Sequence, residues 1–196
     1  MMGKLLVLLF AAALTMPAEA VAQRWFAGIG GAFGAVHHRE TDVSAARPGA
    51  HAVLGLRVGR GVAVGVEGTA YGLGDDEPLA TDLAPGSGRV ERWPEVVGTQ
   101  VLLAFVQVET AGIYLRPGIG IGRQAFPAYL VGPADEVDAY VGHETGPAAG
   151  VTAGYAVPLG GRVSVGFEGV AVLSHGEDSS GARTIFGLRI VPTIRL

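Results

Sequence analysis

After a short apolar leader, the chain runs as eight segments of roughly a dozen residues, each alternating in side-chain character and separated by short and long connections in turn. A strand that crosses a membrane needs ~9 to 11 tilted residues with an apolar side chain at every second position, and paired strands joined by alternating short turns and long loops close into a barrel. The short connections are Gly59-Arg60-Gly61, Glu109-Thr110-Ala111-Gly112 and Pro158-Leu159-Gly160-Gly161. The long ones run from His37 to Gly49, Leu73 to Pro94, Pro127 to Glu144 and His175 to Arg183. The expected fold is therefore all-β, an eight-stranded antiparallel up-and-down transmembrane β-barrel.

Apolar residues make up 49% of the chain and mean hydropathy is +0.39, high for a soluble domain, yet the longest uninterrupted apolar run, Leu5 to Leu14, is 10 residues. A spanning helix needs ~20, so the apolar character must be spread over strands. Glycine is in excess, 32 of 196 residues, and much of it falls inside the alternating segments. A narrow barrel gives those glycines a use, because small inner-face residues leave room for the few large side chains that fill the lumen.

The leader has the parts of an export signal. Lys4 supplies a positive start, Leu5 to Leu14 the hydrophobic stretch, and Ala18-Glu19-Ala20 or Ala20-Val21-Ala22 a small-x-small cleavage site. Residues 1–22 are expected to be a signal peptide cleaved after Ala20 or Ala22, and 23–196 the barrel domain. With no cysteine there is no disulfide, thiolate metal site or cysteine nucleophile. A net charge of −4 gives no basis for a nucleic-acid partner.

The expected strands are Arg24 to Val36, Ala50 to Gly59, Val62 to Gly72, Glu95 to Val108, Ile113 to Phe126, Thr145 to Val157, Arg162 to Ser174 and Thr184 to Leu196. In the seventh, Val163, Val165, Phe167 and Ala171 share one face and Ser164, Gly166 and Glu168 the other. In the eighth, Phe186, Leu188, Ile190, Ile194 and Leu196 face outward, whereas Gly187, Arg189, Thr193 and Arg195 face inward. The charges set this phase, since an Arg facing lipid at the midplane costs ~2 to 4 kcal/mol. Pro117 and Pro192 fall within strands on the outward phase, where a missing ladder donor is unusual.

A repeat relates the third and seventh segments. Val62-Ala63-Val64-Gly65-Val66-Glu67-Gly68-Thr69-Ala70 aligns without gaps to Val163-Ser164-Val165-Gly166-Phe167-Glu168-Gly169-Val170-Ala171. These segments occupy opposite walls of an eight-stranded ring, so Glu67 and Glu168 would enter the lumen at similar depth. Buried acids need partners, and the inward phase offers Arg57, Gln100, Arg116 and Arg189. Arg189 is expected to pair with Glu168 across neighbouring strands. Such a network would plug a barrel barely wide enough for its own side chains. The alternative is a narrow, porin-like gated channel in which the salt bridges exchange partners to admit small ions or solutes.

His37, His38, His51, His143 and His175 are expected at the loop ends of the strands, beside Asp75, Asp76, Glu77, Asp135, Glu136, Asp138, Glu177 and Asp178. They lack a fixed ligand spacing, so neither metal nor cofactor is expected. His175 with Ser174, Ser179 or Ser180 forms no catalytic motif, and no enzyme activity is expected. Trp25, Phe105 and Tyr155 near the turns, and Trp93, Phe126 and Tyr129 near the loops, are candidates for two aromatic girdles. A soluble lipocalin-like barrel would instead need an apolar interior, whereas here the inward phase is the charged one.

The exported leader, the eight strands, the segment Gly112-Ile113-Tyr114-Leu115-Arg116-Pro117-Gly118-Ile119-Gly120-Ile121-Gly122 and the final strand from Phe186 to Leu196 together resemble the small OmpA/OmpX-type outer-membrane β-barrels. The resemblance spans essentially the whole mature chain. It implies a monomeric barrel in the outer membrane of a diderm bacterium, inserted into lipid by the outer-membrane assembly machinery. Its implied role is in envelope integrity, adhesion or surface interaction, with surface ligands met through the loops.

Overall fold

The computed structural model describes residues 24–38, 43–72, 90–92, 98–131, 137–175 and 182–196. The leader lies outside them, as do Trp93 and most of the acids expected in the long connections.

The described residues form nine strands: β1 (Trp25–His38), β2 (Val43–Gly59), β3 (Val62–Tyr71), β4 (Val90–Arg92), β5 (Gly98–Thr110), β6 (Ile113–Val131), β7 (Val137–Pro158), β8 (Val163–His175) and β9 (Ala182–Arg195). Every pairing is antiparallel, and β9 pairs back onto β1. The short β4 lies on the same edge of β6 as β5, with Arg92 opposite Ala128 and Gly98 opposite Ala125. The two are one wall strand in two pieces, so the wall is a closed eight-stranded barrel in sequence order.

Within the closed wall each strand is paired on both sides, which lipid demands because nothing there can satisfy a bare backbone group, whereas the loop-end extensions of β2 and β7 are paired on one side only. Alternation along β5 and β8 is nearly strict. Ile29, Phe33, Leu102, Ile119, Ile121, Phe167, Leu188 and Ile190 stand exposed on the outer wall.

The strands run past the expected boundaries at the loop end. β2 begins at Val43, and the β6–β7 hairpin continues to the pair Val131↔Val137, so much of the expected connection from Pro127 to Glu144 is paired strand. Its flanks, Tyr129-Leu130-Val131 and Val137 to Val141, carry β-branched and aromatic residues that favour continued pairing.

At the other end the turns are tight. Thr110 pairs with Ile113 across Ala111 and Gly112, both at positive φ (49° and 83°), the geometry of a two-residue type I′ hairpin. A bulge between Arg57 and Gly59 precedes the β2–β3 turn.

Both strand prolines are accommodated by a local break in one ladder. The β5–β6 pairing skips Arg116 and Pro117 and resumes at Leu115 in unchanged register, while the β6–β7 ladder runs through Pro117. Likewise β1–β9 pairing skips Val191 and Pro192, whereas Val165 still pairs with Pro192 on β8. Each proline turns its missing donor toward one neighbour and leaves the other ladder intact.

Inside, glycines clear space for large side chains. A Cβ at Gly34 or Gly187 would strike Tyr71, one at Gly55 would strike Phe26, and one at Gly154 or Gly166 would strike Tyr114. Two apolar clusters result. Phe26, Val53, Ala63, Phe105 and Val191 lie toward the turn end, and Tyr71, Val101, Leu103, Val170, Val172 and Ile185 form most of the other toward the loop end. Between them is a charged layer.

Candidate functional site: a charged layer across the lumen

Four strands deliver the principal side chains of this layer: β3 gives Glu67, β6 Arg116, β8 Glu168 and β9 Arg189, with relative exposures of 2%, 3%, 4% and 3%. Each lies on the inward phase of a strand whose alternate residues face outward. Arg116 sits at the centre. Its Nη1 donates to Glu67 Oε2 at 2.7 Å, its Nη2 lies 3.2 Å from Glu168 Oε1, and its Nε donates to Gln107 Oε1 at 3.0 Å. One guanidinium thus links carboxylates from opposite walls. The planar five-donor fork of Arg suits this, and a Lys ammonium would not span it.

The cation also stacks between rings, its Cζ 4.9 Å from the centroid of Phe105 and 5.2 Å from that of Tyr114. The Tyr114 hydroxyl donates to Glu168 Oε1 at 2.7 Å, and Thr152 Oγ1 donates to Glu67 Oε1 at 3.4 Å.

Arg189 is held more loosely. It lies directly opposite Glu168 in the β8–β9 register, yet its Nη1 is 3.7 Å from Glu168 Oε2 and nearer, at 3.4 Å, to Glu67 Oε2. Two Arg and two Glu leave the layer formally neutral. That balance is what buried charge requires, since an uncompensated ion there would cost several kcal/mol.

Arg57 and Gln100 lie elsewhere. Arg57, also inward, sits nearer the turn end and pairs with Glu109 of β5 at 3.1 Å. Gln100 is exposed on the outer face, cross-strand from Arg123. The expectation that it enters the lumen is corrected: β5 places Thr99 and Val101 inward, one residue out of phase with the reading of the sequence. Phe105 is corrected for the same reason. It is buried beneath Arg116 and contributes to no girdle, whereas Trp25 and Tyr155 do fall on the outward phase. The side chains of Phe126 and Tyr129 lie outside the description.

His51 was expected on the loop rim and is instead 1% exposed within the charged layer. Its Nδ1 hydrogen-bonds Thr69 Oγ1 at 2.9 Å, and its Nε2 stands 4.0 Å from both Glu67 Oε2 and Glu168 Oε2. The signal was present: His51, Val53, Gly55 and Arg57 share one phase, and Ala50, Ala52 and Leu54 share the apolar one. Tyr114 was legible likewise, two residues before Arg116 on a strand of strict alternation.

Among the described residues no group of three or more His, Cys, Asp or Glu side chains is arranged to hold a metal ion. The two acids of the layer lie within ion-pair distance of its two guanidinium groups.

A closed eight-stranded wall, apolar outward and charged inward, is the fold of the small outer-membrane β-barrels of the OmpA/OmpX type. In sequence the chain matches no protein-family model and no curated protein. In structure it is similar to Neisserial surface protein A, with a TM-score of 0.56 and 12% identity over 88% of this chain and 97% of that one. It is equally similar to Ail, the attachment invasion locus protein of Yersinia pestis, solved in complex with the heparin analogue sucrose octasulfate. That likeness has a TM-score of 0.56 and 10% identity over 87% of this chain and 98% of that one.

Proposed function

We propose that the chain, exported by a leader cleaved after Ala20 or Ala22, is a monomeric, non-enzymatic scaffold of the outer membrane whose long loops are its working surface and whose lumen is plugged. The observation that carries this is the Arg116 bridge, which ties Glu67 and Glu168 together across the lumen between two apolar clusters. A rigid frame that holds long connections at one end is the usual arrangement for recognition by loops. Those connections are rich in Asp and Glu in sequence, which favours cationic surface ligands over the polysulfated sugar carried by Ail.

A gated channel is the second reading, and one feature favours it. Arg189 is shared between the two glutamates at 3.4 and 3.7 Å, while His51 Nε2, Glu168 Oε2 and Arg189 Nε have no hydrogen-bond partner among the described residues. Such a layer has bonds to spare for an exchange of partners.

Single-channel recording of the refolded barrel in a planar bilayer tests both. Silence from native protein shown to be folded by heat-modifiable gel mobility fits the plugged scaffold. Steady current altered by Glu67→Ala or Glu168→Ala would sink it in favour of the gate.

A further inference from the structure

At the turn end, four neighbouring strands each carry an arginine on the lumen phase where the wall stops. They are Arg162 leading into β8, Arg195 closing β9, Arg24 leading into β1 and Arg57 near the end of β2. Backbone hydrogen bonds knit the row, from Arg195 N to Arg162 O (2.8 Å), Leu196 N to Trp25 O (2.9 Å) and Arg57 N to Arg24 O (2.9 Å). At the usual strand spacing the row spans about 15 Å. Arg60 adds a fifth cation in the adjoining turn.

The acid balance at this rim is one-sided. Glu109 is the single acidic side chain among the described residues of the strand ends and turns here, and it is engaged by Arg57. Arg60, Arg162 and Arg195 are exposed and have no ion pair among the described residues. Just inside the rim, Phe26, Val53, Ala63, Phe105 and Val191 form an apolar cluster, and the polar chain that passes it, from Arg57 through Glu109 and Gln107 to Arg116, is already hydrogen-bonded along its length, so an anion drawn to the arginines stays at the rim.

Depth identifies what lies there. Arg162 is followed by Val163, Arg195 is flanked by Ile194 and Leu196, and Arg24 is followed by Trp25, all on the outward phase of the apolar wall. Each guanidinium is therefore one residue from the edge of the hydrocarbon and can reach along its stem to headgroup level. Short turns of such barrels face the periplasm, so this level is the inner leaflet. We infer that this rim binds the phosphate groups of anionic phospholipids in that leaflet. Guanidinium forks match phosphate oxygens in bidentate fashion, and each cation near an anionic surface contributes about a fivefold gain in partition.

Native mass spectrometry of the refolded full chain in detergent tests this, with phosphatidylglycerol and phosphatidylcholine of identical acyl chains supplied in equal amounts. The native barrel is expected to retain phosphatidylglycerol selectively. The triple variant Arg60→Gln/Arg162→Gln/Arg195→Gln, folded by heat-modifiable mobility, is expected to lose about a hundredfold of that retention. Should the triple variant not fold, each single Gln variant is expected to lose about fivefold. Equal retention of the two lipids, or retention indifferent to the Gln substitutions, would overturn the inference. Displacement of the lipid by millimolar inorganic phosphate at no cost in selectivity would assign the rim to a free anion instead.

Discussion

Arg116 of β6 reaches Glu67 of β3 at 2.7 Å, the shortest ion pair among the described residues, while Arg189 stands 3.7 Å from Glu168, its direct neighbour in the β8–β9 register. Adjacency in the sheet therefore does not rank these interactions. Reach does: a side chain directed across the lumen meets an acid head-on, whereas cross-strand neighbours stand side by side.

A double-mutant cycle reads this order. Coupling between Glu67→Gln and Arg116→Met is expected at about 2 to 3 kcal/mol, within the range for interacting buried pairs. Coupling between Glu168→Gln and Arg189→Met is expected below about 1 kcal/mol. Urea unfolding of the barrel in lipid vesicles measures both, and a reversed order would contradict the geometry. Arg116→Met alone should cost about 3 to 5 kcal/mol, since it leaves two buried carboxylates to one loosely placed arginine.

Tyr114→Phe isolates one contact. The hydroxyl donates to Glu168 Oε1 at 2.7 Å and the ring stacks on Arg116, so removing only the oxygen keeps the stacking and takes a donor from a buried carboxylate. The expected loss is about 1.5 to 3 kcal/mol, the range for hydrogen bonds to charged groups. An unchanged unfolding midpoint would show that the hydroxyl does not support Glu168.

How much of this was legible in sequence follows from the periodicity. The seventh and eighth segments carry charges that fix their phase, and there the expected faces of Val163, Phe167, Glu168, Arg189 and Ile190 match the structure. The fourth segment has Val101 to Phe105 apolar on both faces, so no charge distinguished Gln100 from Thr99, and the phase was misplaced by one residue. His51 escaped for a different reason: read as one of five loop-end histidines, it was not set against the alternation of its own strand. The tilt that carries Arg116 to two opposite walls is a property of the closed barrel and has no local signal.

The turn at Ala111 offers a gain in stability. Ala111 adopts φ 49° ahead of Gly112 at 83°, and a type I′ turn prefers Asn or Gly at the first central position. Ala111→Asn should stabilise the barrel by about 0.5 to 1 kcal/mol, by relieving a residue held in a sparsely populated conformation. Gly112→Ala should cost about 1 kcal/mol or more. Equal midpoints for all three proteins in urea would argue that this hairpin is not held as described.

Two glycines on facing sides of the wall separate packing from composition. A Cβ at Gly120 would run into the backbone carbonyl of Leu102, which cannot step aside without breaking the β5–β6 ladder, whereas a Cβ at Gly169 meets nothing within 4 Å. Gly169→Ala is expected to be neutral or slightly stabilising, because it trims the freedom of the unfolded chain and adds apolar surface toward lipid. Gly120→Ala is expected to cost more than about 2 kcal/mol, or to stop folding as judged by heat-modifiable mobility, because the strand must move to admit one methyl group. If the two substitutions behaved alike, the glycine content of the strands would reflect composition alone. If they differ as expected, the glycine at 120 is required by the close passage of the Leu102 carbonyl in the β5–β6 ladder.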